Sequence, residues 1–207
     1  MARPQIEVLT NESSAETLTQ MTLSFFTVGH STRALSEFVE LLRVYKIELV
    51  VDVRHIPRSR TNPQFNRETL PDNLNSFQIA YIHIPELGGL RGKQRGSDLS
   101  TNLFWQVRSF RNYADYALTE QFRVGFNRLR ELGHRRRSVI MCSEVLWWRC
   151  HRRIIADYLM SAGESVVHIF RLDHDEPARL TPGAVPQPDG TVTYPAPEEA
   201  RNDEKTK

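Results

Sequence analysis

The chain has 207 residues, 40% of them hydrophobic, enough for one soluble domain with a substantial core and too few to call for two. No apolar run approaches the roughly 18 residues that cross a bilayer, and Met1-Ala-Arg-Pro-Gln-Ile-Glu7 lacks the apolar centre of a secretory signal, so a cytoplasmic protein with no membrane partner is expected. The net charge of +2 is uneven: residues 173–207 carry eight acids and four bases and residues 1–21 three and one, so the middle holds eight excess positive charges, which favours anionic partners.

Residues 1–21, rich in Thr, Ser and Glu, are expected to be poorly ordered, apart from a short edge strand that Ile6 and Val8 around Glu7 would allow. Leu23-Ser-Phe-Phe-Thr-Val28 is an apolar run ending in Gly29-His30-Ser31, and Leu35, Phe38, Val39, Leu41 and Leu42 then recur at the spacing of one buried helix face. Further strand-like runs stand at Ile47–Val53, Ala80–Ile84, Ser138–Met141 and Ser165–Phe170. Strands alternating with helical patterns predict βαβ units. The expected architecture is a single α/β domain over residues 22–172, with a mainly parallel, doubly wound, Rossmann-like sheet of about five strands and helices on both faces. Phe104, Trp105, Phe110, Tyr113 and Tyr116 mark an aromatic helix or insertion, suited more to lid packing than to stacking on bases. Arg128-Leu-Arg-Glu-Leu-Gly-His-Arg-Arg-Arg137 closes a helix, where cations complement the dipole. Six of the eleven prolines follow Leu172 with no sustained apolar period, so 173–207 is expected to be a disordered, Pro-rich acidic tail.

Open α/β sheets bind ligands beyond the carboxyl ends of their strands. Those ends deliver Gly29, His30 and Ser31, then Asp52 and Arg54, then Glu86 with Gly88 and Gly89, and last Cys142, Ser143 and Glu144. A helix beginning near Trp148 or Cys150, with Ile154, Ile155, Tyr158 and Leu159 inward, places Cys150 and His151 on its inner side near the N-terminus. Helix dipole and free amides favour an anion there, and Arg149 and Arg152 add positive charge. Gly89-Leu-Arg-Gly-Lys-Gln-Arg-Gly96 supplies glycines and cations at the same edge without the ordered Gly-x-x-x-x-Gly-Lys-Ser/Thr nucleotide cradle.

Phe26-Thr-Val-Gly-His-Ser31, Val50-Val-Asp-Val-Arg54 with Pro57 and Ser59, Leu87-Gly-Gly89, and Cys142-Ser-Glu144 followed by Cys150-His-Arg152 together resemble the domain-of-unknown-function 488 family, in order, over about residues 25–170. The resemblance implies an α/β fold and carries no established activity. A looser likeness to rhodanese-type domains rests on Asp52-Val-Arg54 after an early strand and on Cys142 at a strand end.

Three chemical readings compete for these residues. In the first, Asp52 and Glu144 serve as paired carboxylates for hydrolysis or glycosyl transfer on a phosphate-bearing nucleotide or nucleic acid. His30 and His151 then join the catalytic set, and Arg54, Arg58, Arg149, Arg152, Ser31, Gly88 and Gly89 hold the anion. The structural counterpart is an Asp52–Arg54 pair with Glu144 capping its turn. The second reading is sulfur or phosphoryl transfer through Cys142, against which the residue six positions on is Trp148, with Arg149 one step later. The third is zinc on Cys142, Cys150 and His151, with His30 or His55. It is disfavoured because no Cys-x-x-Cys is present and convergence across a strand-to-helix turn is not assured; no cofactor is therefore expected. The first reading is preferred, with a non-catalytic nucleotide or nucleic-acid binding module as its rival.

Overall fold

A computed structural model describes residues 24–94 and 101–197. Its central sheet is built from β1 (Phe25–Gly29), β2 (Leu49–Asp52), β3 (Ala80–His83), β4 (Ser138–Cys142), β5 (Val166–Arg171) and β6 (His174–Pro177), in the order β3-β2-β4-β1-β5-β6. The first five strands pair in parallel, and β6 runs antiparallel to β5 at one edge. The interior strands β1, β2 and β4 are buried at every residue, which is why they read as continuous apolar runs and not as alternating ones.

Successive residues of each strand feed opposite faces. Phe26, Val28, Val139 and Met141 pack with Phe38, Leu41 and Leu42 of α1 (Leu35–Val44) and with Leu70 and Leu74 of α2 (Leu70–Asn75). Phe25 and Ile140 face the other way, with α3 (Arg108–Ala117), α4 (Glu120–Arg135) and α5 (Arg152–Ser161). The α4 start is capped by Thr119, whose hydroxyl oxygen accepts from the Phe122 amide.

The chain leaves β1 toward α1 on one face and leaves its neighbour β4 toward α5 on the other. The β1/β4 boundary is thus the point where connections diverge and open a crevice at the carboxyl ends. No helix among the described residues is long and apolar enough to cross a membrane.

Beyond Leu172 the structure differs from the expected disorder. Residues 173–197 contribute β6 and a small hairpin, β7 (Val185–Pro186) with β8 (Val192–Thr193), and Val192 and Tyr194 are fully buried. Asp157 of α5 anchors the segment: it accepts the Thr181 amide at 2.9 Å and the Tyr194 hydroxyl at 2.9 Å. A few well-placed side chains suffice where no long apolar period exists. The segments 1–23 and 198–207, including the edge strand expected around Glu7, lie outside the described residues.

Candidate functional site

A cavity of about 590 Å³ opens at the crevice. It is lined from β1 by His30, Ser31 and Thr32, from the chain after β2 by Arg54, His55 and Arg58, and from β4 by Cys142, Ser143 and Glu144. Arg149, Cys150 and His151 close it from the short helical turn Trp147–Arg149 and the start of α5, with Gly89, Phe110 and Tyr113 opposite. That volume lies within the roughly 300–1,000 Å³ of small-molecule sites. Most residues chosen from the strand ends therefore meet in one place, while Asp52, Arg152 and Gly88 are not among the lining.

Asp52 is fully buried and its carboxylate is saturated. It accepts from the Arg54 amide (2.9 Å), Nε (2.9 Å) and Nη2 (2.6 Å) and from the Tyr81 hydroxyl (2.7 Å). Arg54 spends a further donor on the Phe65 carbonyl at 2.7 Å, so this guanidinium is an organised wall of the cavity and not a free cation. His30 stacks on Phe65 at 4.2 Å, donates through Nδ1 to the Ser31 carbonyl (2.8 Å) and accepts at Nε2 from Arg54 (3.1 Å). Burial, reinforced by the Arg54 charge, lowers its pKa to about 4, so the ring is neutral at pH 7.

Arg152, expected to hold an anion, is 1% exposed and faces inward. Its guanidinium donates to the carbonyls of Glu144 and Val145, and its Nε lies 3.3 Å from Cys150 Sγ. It ties the loop after β4 to the start of α5. Gly29 makes this possible from the other side, because a Cβ there would stand 2.0 Å from the Glu144 carbonyl oxygen. Glu144 Oε1 accepts the Leu146 amide at 3.1 Å, which leaves the second carboxylate oxygen without a protein partner among the described residues.

The amides near α5 are largely consumed. Arg149, Cys150, Arg153 and Ile154 donate to carbonyls of Leu146, Trp147, Cys150 and His151, each at 3.0 Å. The start of α5 therefore offers few free N–H groups to an anion. Positive charge in the cavity comes instead from side chains. Arg149 is exposed with no ion pair among the described residues, whereas Arg58 is paired with Glu68 at 2.7 Å.

The thiols and an imidazole, for which convergence was not assured, do converge: Cys142 Sγ, Cys150 Sγ and a His151 nitrogen all lie within 4.8 Å of one another. Burial alone would raise the Cys150 pKa, but the Cys142 thiol, the Arg152 charge and the Arg152 amide stabilise its thiolate and bring it down to about 6. Cys142, the donor of that pair and itself buried, is pushed up to about 12.

Other expectations resolve as packing. Trp105 stacks on Phe110 at 4.9 Å and touches Tyr194, while Tyr116 donates to the Glu86 carbonyl and lies under the Arg91 guanidinium. Arg91 also donates to the Gly88 and Pro85 carbonyls, so the first cation of the glycine-rich loop is committed, and residues 95–100 lie outside the described residues. Tyr113 and His55 are cavity residues that the strand-end argument did not rank; an aromatic at helical spacing gives no sign of whether it faces core or cavity.

Fold and site together define an open α/β-sheet protein with a strand-edge cavity at its topological switch point. The chain belongs to the family described as Domain of unknown function DUF488, which matches residues 34–159. That span holds β2, β3, β4 and most of α5, hence Asp52, Arg54, Cys142, Glu144, Cys150 and His151, while β1 with His30 precedes it. No curated relative and no solved structure matches the chain.

Proposed function

We propose that this protein is an enzyme that binds a phosphate-bearing substrate, a nucleotide or an accessible nucleic-acid terminus, in the β1/β4 cavity and cleaves it hydrolytically. One observation carries the reading: a single cavity of ligand size is lined by Arg149, which has no ion pair among the described residues, and by Glu144 as its one carboxylate, beside a thiol–imidazole cluster. Arg149 is the uncompensated cation that attracts the phosphate, and the Ser31 hydroxyl supplies a hydrogen-bonding group at the opposite rim. Glu144, held by one oxygen, has the other available as a proton acceptor. Glycosyl transfer between two carboxylates is the weaker branch, because all of Asp52's accepting capacity is directed at Arg54 and Tyr81.

The test is a panel of nucleoside mono- and diphosphates and short oligonucleotides, assayed for binding by calorimetry and for cleavage by product release. Arg149→Ala should weaken binding about tenfold or more, the loss of roughly one charge-assisted hydrogen bond. Glu144→Gln should leave binding within about twofold and reduce turnover at least about 100-fold, the scale of a general base. Unchanged turnover in Glu144→Gln would reject the acid–base role. Binding without any turnover in the wild type would favour the non-catalytic module.

A further inference from the structure

We propose that Cys142, Cys150 and His151 form a site for a thiophilic divalent metal ion, zinc, with three protein ligands and a fourth coordination position open to the cavity. The inference deepens the reading above, since it rests on that cavity being the working site.

Donor type, separation and orientation all agree. Two thiolates and one imidazole are a zinc donor set, and three protein ligands with an open position are the mark of a catalytic zinc centre. Zinc–sulfur and zinc–nitrogen bonds of about 2.3 and 2.0–2.1 Å at a tetrahedral angle place the two donors roughly 3.5–3.6 Å apart. Cys150 Sγ and His151 Nδ1 are 3.6 Å apart. All three donors fall within 4.8 Å of one another.

The surroundings fix the imidazole as a metal ligand is fixed. His151 Nε2 donates to the Val53 carbonyl at 2.9 Å; since a carbonyl only accepts, Nε2 carries the proton and Nδ1 presents its lone pair to the sulfurs. The ring packs against Tyr113, with centroids 4.9 Å apart. Gly89 keeps the coordinating edge uncovered, because a Cβ there would lie 2.9 Å from Nδ1. Arg152 adds a donor to Cys150 Sγ from outside the ligand set, as hydrogen-bonded thiolates at such centres have. All three ligands also line the cavity, so the side left open faces substrate-sized space and not the core.

The experiment uses the full chain, purified without chelator, stripped with a strong chelator and titrated with zinc against a chromophoric competitor, then with cobalt(II). One equivalent should bind, with sub-micromolar affinity. Cobalt should give the intense visible bands of tetrahedral coordination and a near-ultraviolet thiolate-to-metal band. One equivalent of zinc should also block alkylation of both cysteines. Cys150→Ser and His151→Ala should each lower affinity at least about 100-fold, beyond the ~10–100-fold typical of losing an outer-shell partner. The wild-type titration and the alkylation protection stand even if a variant fails to fold. Failure to bind zinc, a cobalt spectrum without thiolate transitions, or cysteines equally reactive with and without zinc would overturn the site. These readouts need no substrate: metal binding without phosphate binding would sink the functional reading alone, and phosphate binding without metal would sink this one alone.

Discussion

Asp52 and Glu144 both stand at the carboxyl end of a strand, yet their surroundings divide their roles. Asp52, fully buried against Arg54 and Tyr81, organises the wall; Glu144, half-buried on a turn, keeps an oxygen toward the cavity. Histidine shows the same division. His168 of β5 is 2% exposed, stacks on Trp147 at 4.3 Å and shares a hydrogen bond between Nδ1 and the Thr27 hydroxyl at 2.8 Å. Burial, then the nearby Arg152 charge, lowers its pKa from 6.5 to about 3. The folded state therefore refuses a proton that the unfolded state accepts below about pH 6.5. Stability is full above that pH and falls as pH drops toward 3, by up to about 1.4 kcal/mol per unit from this one ring. Urea midpoints measured between pH 7 and 5 should fall, and His168→Gln should flatten the fall; an unaltered slope in the variant would remove His168 from the account.

At the scale of elements, the parallel strands and the buried face of α1 were legible because burial on both sheet faces and a helical stripe leave strong, local periodic signals. The C-terminal hairpin left a weak one. Asp189-Gly190 sits at its turn, with Gly190 at φ +82°, and Val192 and Tyr194 alternate with Thr193. Two-residue strands are too short for periodicity to register against six surrounding prolines. Their packing gives a direct prediction. Tyr194→Ala empties a fully buried position and strips a hydrogen bond from Asp157, so it should cost about 3–5 kcal/mol, the range for aromatic truncation in a core. Chemical denaturation measures it; a loss below about 1 kcal/mol would show that the segment contributes little to the fold. The metal-type cluster was obscure for a related reason. Spacing alone does not reveal that the turn Trp147–Arg149 and the buried Arg152 fold Cys150 back beneath Cys142.

For the molecule as a whole, the position of the cavity follows from topology. Neighbouring strands β1 and β4 send their chains to opposite faces, and the gap between those connections is where cations, thiols, imidazoles and Glu144 gather. The strand-end rule points to the same edge as this cavity, but it does not say which side chains turn inward: Arg152 and Asp52 are buried as structure, while Arg149 stays in solvent. The excess positive charge of the middle of the chain accords with an anionic ligand at this edge. The most direct test is a crystal structure of protein purified without chelator and grown with a nucleoside monophosphate. The account predicts the phosphate inside the β1/β4 cavity, contacting Arg149, with the rest of the ligand reaching toward His30 and the Cys142–Cys150–His151 cluster. A ligand bound elsewhere, with this cavity holding solvent alone at saturating nucleotide, would contradict it.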